Sequence, residues 1–596
     1  MDAELDPDDA DDVFDLVIVG SGGGALCAAL AARALGKSVV VLEKNARAGG
    51  STGYSGGVLW VPNNPVMARE NVADSEARSR TYFDAVVTYR GPATSRARRT
   101  AFLRTGPEMI SFLEKCGIKF RRPEGWSDYY DDRPGGEPRS RSLMVEIFDR
   151  RALGDWADRL SIYPPFEKLP LFADEAPALL LMRRGWAGKR MAARLAGRML
   201  MQKLTGRRYA VNGGALQGRM LKASLGAGVP IRTGAPVSGL MVENGAVVGV
   251  SVEHGGRAVR IRAREGVLVN TGGFSRNAAM RAEFGPALST DAMTSANPGD
   301  TGEAMQSMMA LGAATDCMDE AWWLLTSRNL DGSWPEGAVA TDGSVFPFLH
   351  HLDLSLPNLI LVDQSGARFA DESGSYMEIG RAMHARQRAT GRAIPAWVIM
   401  DSVNRKYYPW GSAAPGTTPK SWLDSGYMKR ADTIEALAAL CGIDAAGLAA
   451  TVSAFNGYCA TGIDADFNRG GRAFDRAHGD PSVKPNPNLG PVSTGPFYAV
   501  AMYPGDVGTA GGVVTDEHAR VLRKDGSAIQ GLYATGNCTA SVMGRSYPGA
   551  GASISASFVF GYIAAHHAAG KTALLPFDVS GETETAASML REVPMP

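Results

Sequence analysis

The chain has 596 residues, more than one hydrophobic core serves, so two or more domains and room for a large cofactor are expected. Lysine plus arginine and aspartate plus glutamate each total 62, which leaves no net field favouring nucleic acid or an anionic surface across the whole molecule. The 45% hydrophobic and 21% charged shares are those of a globular enzyme, and no uninterrupted apolar run reaches the ~18–20 residues that a membrane-spanning helix needs.

The opening MDAELDPDDADD, residues 1–12, is acidic where a secretory signal would be basic and then apolar; it reads as a short disordered leader and implies a cytoplasmic location. Residues 14–19 form an apolar strand, followed by a glycine turn, an alanine- and leucine-rich helix and a second strand ending at Glu43. The turn is Gly20-x-Gly22-x-x-Ala25, and Glu43 follows at the distance where a carboxylate grips ribose hydroxyls, which makes a dinucleotide-binding βαβ unit. A pyrophosphate would lie on the helix N-terminus, held by free N–H groups and the dipole. Directly after come Gly49, Gly50, Ser51, Thr52, Ser55, Gly56 and Gly57, small residues suited to a backbone laid along a flat, extended ligand. That stretch favours FAD over NAD.

Further on, GWSDYYDD carries Tyr129 and Tyr130. Residues 183–208 hold nine Lys or Arg and no acid, with Met191, Leu195, Met199 and Leu200 near helical spacing. The preferred reading is a solvated basic helix whose stripe packs on the body; the alternative is peripheral membrane association. VLVNTGGFSRN, with Thr271 and Gly272, predicts another strand feeding a glycine turn on the adenine side. His350 and His351 qualify as bases on pKa grounds, but neighbours in a strand face opposite ways, so at most one lines a cleft. Pro298-Gly299 and DPSVKPNPNLGP, residues 480–491, are boundary-like punctuation. GLYATGNC carries Gly536-Asn537, an amide variant of the Gly-Asp that holds a ribitol chain in FAD enzymes. The six cysteines show neither a C-x-x-C pair nor zinc spacing, so no metal is expected.

With these segments in place the chain resembles the 3-ketosteroid Δ1-dehydrogenase family, within the FAD-dependent fumarate reductase and succinate dehydrogenase flavoprotein superfamily. The carriers are GGSTGYSGGVLWVPNN, GWSDYYDDRPGG, GARFADESGSYMEIG and VMGRSYPGAGASISASFVFGYIAA. The resemblance implies an α/β fold: a Rossmann-like FAD-binding domain, discontinuous in sequence (residues 13–295 and 491–596), with an inserted α+β catalytic cap at residues 296–490. It adds Ser21, Gly24, Lys44, Val237, Ala552 and Ile554 to the cofactor-binding positions. Tyr547 in GRSYPGAG stands where fumarate reductases carry a proton-donating arginine; with the Gly551 N–H it implies two donors to a ketone oxygen. Tyr376, preceded by Ser375 where the family usually has proline, is the implied base, and Tyr129 its charge-sharing partner. Trp126 and Tyr130 fall at implied substrate-binding positions. The implied reaction is α,β-dehydrogenation of a ketone, with a 3-ketosteroid as the family's substrate, smaller cyclic ketones or enone reduction as alternatives, and an external electron acceptor such as a quinone, a dye-like compound or dioxygen. The different-class alternative is a flavin-binding protein without turnover.

Overall fold

The computed structural model describes residues 12–254, 257–571 and 584–591. Residues 1–11 of the expected acidic leader lie outside them, and Asp12 already belongs to the first strand. In chain order the elements used below are β1 (Asp12–Val19), α1 (Gly23–Ala34), β2 (Val39–Glu43), α2 (Trp186–Thr205), β3 (Ile231–Thr233), β4 (Arg257–Val269), β5 (Ala321–Ser327), α3 (Tyr376–Thr390), β6 (Phe497–Thr509), β7 (Ala528–Ala534) and α4 (Ala552–Ala568).

Strands β3, β2, β1, β4 and β7 lie side by side in that order and run parallel. The apolar runs that predict β1 and β2 are those of strands covered on both faces. Val39–Leu42 pair with Leu16–Val19 in unbroken register. Helix α1 is apolar nearly all round and buried from Gly23 to Ala32, as a helix lying in a core must be. It crosses α4 where glycines meet: a methyl on Gly24 would stand 2.4 Å from the Ser557 carbonyl oxygen, and one on Gly561 would stand 2.3 Å from that of Gly24. The C-terminal part of the chain thereby closes onto its first helix, so β7 and α4 complete the structure that β1 begins.

A second, antiparallel sheet has the order Phe348–His350, β5, β6, Ala396–Met400 and Leu359–Val362, with Met428–Ala431 also on β6. One of its strands lies past the boundary expected at residue 490. The strand β6 pairs with both β5 and Ala396–Met400, so this sheet extends to Thr509. The proline-rich run at 480–491 lies between two strands of this sheet, Met428–Ala431 and β6.

Helix α2 forms where the basic segment predicts it, from an N-cap at Gly185 to Gly206 in the left-handed region. Its stripe divides. Met191 and Leu195 are buried against the body, whereas Met199 and Leu200 face solvent.

Candidate active site

A cleft runs along the carboxyl ends of the parallel strands, where open α/β sheets place their ligands. Gly20, Ser21, Gly22, Glu43, Lys44, Gly50, Ser51, Thr52, Val237, Thr271, Gly272, Gly536, Asn537 and Ile554 all line it. Gly20 has φ 96°, and a methyl there would stand 2.1 Å from the Asn270 carbonyl oxygen, so only glycine makes this turn. The Ser21 hydroxyl donates to the buried Glu43 carboxylate at 2.5 Å and accepts from the Gly49 N–H, which joins the turn to the small-residue stretch. Gly22 caps α1 without a side chain, and the first turn has no acid, so the positive helix end opens onto the cleft uncompensated. Thr52 Oγ1 takes the Gly23 N–H. A dinucleotide fits this chemistry: its anionic centre meets a helix N-terminus, with polar groups spaced along the cleft on both sides.

Six expected cofactor positions do not line the cleft. Gly24 serves the α1–α4 crossing. Ala25 is buried and gives its N–H to Asn270 Oδ1 at 3.1 Å. Ser55 donates to the Thr52 carbonyl and accepts from Gly57 N–H, while Gly57 abuts the Asn212 backbone. The nearest atoms to Gly56 belong to Val58 and Ala173, and Ala552 is buried at the head of α4 with its N–H on the Gly549 carbonyl.

Other residues complete it without a sequence signal. Asn270 Oδ1 accepts from Ala25 while its Nδ2 donates to the Thr535 carbonyl and Ser557 Oγ, tying the glycine turn to β7 and α4. Asp300 accepts from the Ser51 hydroxyl, and its carboxyl leaves no room for a side chain at Gly272, where a methyl would be 2.3 Å away. Burial pushes Asp300 up to about 7, so it is no fixed anion beside a phosphate-bearing ligand. Trp322 donates from Nε1 to Asn537 Oδ1 and lines the same cleft.

At that end stand the three tyrosines. Ring centroids are 5.7 Å apart for Tyr129 and Tyr376, 5.6 Å for Tyr129 and Tyr547, and 5.3 Å for Tyr376 and Tyr547. Trp322 meets the Tyr547 ring edge-on at 5.2 Å, and the Tyr547 hydroxyl lies 3.2 Å from Ser553 Oγ, itself a cleft residue. The group is therefore continuous with the cofactor cleft. Burial drives Tyr129 and Tyr376 well above the ordinary tyrosine range. Adjacent phenols add to this for Tyr376, whereas the Tyr376 hydroxyl pulls Tyr129 part of the way back.

Each tyrosine is delivered by a tethered segment. Tyr376 is the first residue of α3, so the positive helix end favours charge on its oxygen. The preceding loop is fixed by the buried pairs Arg368–Glu372 and Arg469–Glu372, at 2.8 and 3.2 Å. Tyr129 gives its N–H to the Pro548 carbonyl, which also accepts from Tyr82, so the Tyr129 and Tyr547 segments are stapled together. Gly551 has φ 94°, and a methyl there would lie 2.2 Å from the Val58 carbonyl oxygen. Beneath Tyr129, Arg141 pairs with Asp128 at 2.7 Å and Asp74 at 2.8 Å, with all three side chains at most 1% exposed. Replacing Arg141 by alanine leaves two buried carboxylates without their cation and is expected to cost about 3–5 kcal/mol in denaturant-unfolding measurements. A loss below about 1 kcal/mol, the range of surface pairs, would show that water reaches the cluster.

The strand ends at His350, and the two histidines part company there. His350 Nδ1 is 2.6 Å from Asp353 Oδ2 and its Nε2 is 2.7 Å from Ser327 Oγ, so both nitrogens are engaged away from the tyrosines. His351 meets the Tyr376 ring edge-on at 4.9 Å, and burial lowers it to about 3, which keeps it uncharged at neutral pH. Tyr130 turns its ring toward Arg472 and lines a second cavity of ≈560 Å³ beside the start of α3. Trp126 is half-buried against the main core and makes no ring contact with the three tyrosines among the described residues. Arg545, two residues from Tyr547, is held by Asp319 and Glu320 at 2.7 and 3.3 Å.

Residues 15–554 match the family described as FAD binding domain. The chain is 40% identical over 571 residues to the 3-oxosteroid 1-dehydrogenase of Mycobacterium tuberculosis (strain ATCC 25618 / H37Rv), covering 93% of this chain and 98% of that protein. It is 34% identical to the 4-oxocyclohex-2-ene-1-carboxylate 5-dehydrogenase of Sinomonas cyclohexanicum, with 92% of each chain covered. Among solved structures, the 3-ketosteroid Δ1-dehydrogenase of Sterolibacterium denitrificans in complex with 1,4-androstadiene-3,17-dione superposes with a TM-score of 0.86 at 34% identity, covering 94% of this chain and all of that one.

Proposed function

The chain belongs to the 3-ketosteroid Δ1-dehydrogenase family of FAD-binding flavoproteins, and from that premise we propose that it desaturates the C1–C2 bond of a 3-ketosteroid. It is an FAD-dependent oxidoreductase acting on CH–CH groups. The observation that carries the reading is the closed group of Tyr129, Tyr376 and Tyr547 at one end of the cofactor cleft. FAD is held by Gly20–Gly22, Glu43, Ser51, Thr52, Gly536 and Asn537, and when bound it supplies the hydride acceptor.

The rest is done by the protein's own groups. The Tyr547 hydroxyl and the Gly551 N–H donate to the ketone oxygen, and that polarisation acidifies the C–H at C2. The C2 proton passes to the Tyr376 oxygen in its ionised form, a charge favoured by the N-terminus of α3, with the Tyr129 ring packed beside it. Arg545, two residues from Tyr547, is occupied by Asp319 and Glu320 and is not free to pair with a substrate carboxylate. A neutral ketone therefore suits the site better than a carboxylate-bearing one, which favours a steroid over oxocyclohexane carboxylates. Electrons leave to an external acceptor such as a quinone, a dye-like compound or dioxygen.

Anaerobic mixing with a series from cyclohexanone to androst-4-ene-3,17-dione tests the assignment. Flavin bleaching by the steroid, with a product two hydrogens poorer, is expected. Bleaching by cyclohexanone alone would assign the enzyme to small ketones, and bleaching by none would leave a flavin protein without this turnover. The purified protein is expected to be yellow, with one FAD per chain released by acid. Gly20→Ala, strained at φ 96° and clashing with Asn270, is expected to come out colourless; retention of stoichiometric flavin would show that the turn does not hold the cofactor.

A further inference from the structure

We infer that Arg98 is a buried electrostatic residue that raises the reduction potential of the bound flavin and so favours desaturation over the reverse reduction of an enone. The inference rests on FAD lying in the cleft with its flavin at the tyrosine end. Arg98 belongs to the basic start of the helix Arg96–Lys115, and arginine is almost never fully buried unless paired. Further along, Arg99 and Arg104 meet the carboxylates of Asp84 and Glu76 at 2.9 and 2.7 Å. Arg98 meets none. It is 1% exposed, its Nη1 donates to the Ala93 and Ala540 carbonyls, its guanidinium lies over the Phe560 ring at 4.9 Å, and its Nε has no partner among the described residues. The carboxylates whose fields reach it are taken elsewhere, Asp516 by Arg520 at 2.7 Å and Asp316 by the Tyr89 hydroxyl at 2.6 Å, and burial raises Glu517 toward its neutral form. Burial lowers Arg98 only to about 10, so it keeps its charge at neutral pH. A buried cation without a counter-ion is costly, and packing alone does not account for it.

Its place identifies the missing partner. Arg98 lines a small cavity with Trp322, Gly536, Asn537 and Ser553, and those four residues also line the cofactor cleft. One layer of residues therefore separates the guanidinium from the flavin end. The same end receives the N-terminus of α4, which has no acid in its first turn and presents Ser553 and Ile554 to the cleft. A hydride drawn from the ketone brings two electrons and one proton, so the cofactor that accepts it gains one negative charge. In a low-dielectric interior, an unpaired cation one layer away favours that charged form. The desaturation needs such help, because its hydride leaves a saturated carbon.

The test uses the full-length FAD-loaded protein without ketone. Its midpoint potential is measured by anaerobic titration against a reference dye, and its affinity for sulfite by flavin bleaching, since sulfite also adds an electron pair to the flavin and leaves a negative charge. Arg98→Met, which keeps the length of the side chain and removes its charge, is expected to weaken two-electron reduction on the order of tenfold, about 30 mV toward lower potential, with a parallel loss of sulfite affinity. Arg98→Lys should recover most of both. Arg104→Met, which removes a cation of the same helix already paired with Glu76, should change neither. Should Arg98→Met not fold, Arg98→Gln, a neutral donor, replaces it in the comparison with Arg98→Lys. A wild-type potential in a flavin-loaded neutral variant, or equal potentials in that variant and Arg98→Lys, overturns the inference and leaves Arg98 as a tie between the Ala93 and Ala540 segments. Either outcome leaves the steroid assignment standing, since no ketone enters the measurement. Wild-type protein recovered without FAD would overturn the reading of the cleft, and this inference with it.

Discussion

Replacing Tyr376 with phenylalanine is expected to lower turnover on the order of 10²–10⁴-fold, the usual worth of a positioned proton acceptor, while the ketone still binds and perturbs the flavin spectrum. The substitution keeps the ring that packs on Tyr129 and Tyr547 and removes only the oxygen. Binding and chemistry should therefore separate. The pH profile supplies an independent readout. Burial and adjacent phenols hold Tyr376 well above the ordinary tyrosine range, so below that point the ionised fraction grows about tenfold per pH unit. In wild type, kcat/KM should climb from neutral into alkaline pH without levelling near 7. His351, lowered to about 3, loses its proton far below this window and contributes no rise there. Because Tyr129 and Tyr376 interact, the climb reports the pair as a unit. Near wild-type flavin reduction by Tyr376→Phe would remove it as the base and pass the role to His351, which already touches its ring.

The parts of this site legible in the sequence are those where one short segment carries its own chemistry. Gly20-x-Gly22 with Glu43 predicts the cofactor turn because strand, turn, helix and acid are consecutive, and the local backbone has one way to arrange them. Tyr376 and Tyr547 lie in distinctive loops, although nothing within either loop says that residues 171 positions apart share a pocket. The resemblance to a family supplied that convergence. Asn270 is different in kind: it bonds Ala25, Thr535 and Ser557, and its function exists only once α1, β4, β7 and α4 are in place. Asp300 likewise reads as an ordinary turn acid until Ser51 and Gly272 close around it. The expected positions that do not line the cleft have a common feature. Gly24 and Gly57 are glycines because backbones come close there, and sequence alone does not say whether the close neighbour is a ligand or another segment of the chain. On α2 the periodicity identifies a helix correctly, but a basic helix with two apolar faces leaves open which one the body covers. Only the burial of Met191 and Leu195 decides it.

Tyr547→Phe is expected to fail in another way, losing both rate and affinity. Its hydroxyl is one of two donors proposed for the ketone oxygen, and charge builds on that oxygen as the C2 proton leaves, so the bond is stronger in the transition state than in the bound ketone. Loss of one such donor costs on the order of 10²–10³ in rate. The ketone also loses a hydrogen bond in the ground state, so KM should rise along with the fall in kcat, whereas Tyr376→Phe leaves KM nearly unchanged. Ser553, 3.2 Å from the Tyr547 hydroxyl, lines the cofactor cleft and loses that hydrogen-bond partner in the variant. The second donor survives because Gly551 is fixed by its backbone: φ 94° and the Val58 carbonyl hold the turn whatever side chain stands at 547. Residual activity should therefore retain the alkaline climb of the wild type, since the base is untouched. If Tyr547→Phe keeps wild-type KM and loses that climb, the roles are exchanged: Tyr547 is the proton acceptor, and Tyr376 at the head of α3 is the donor to the ketone.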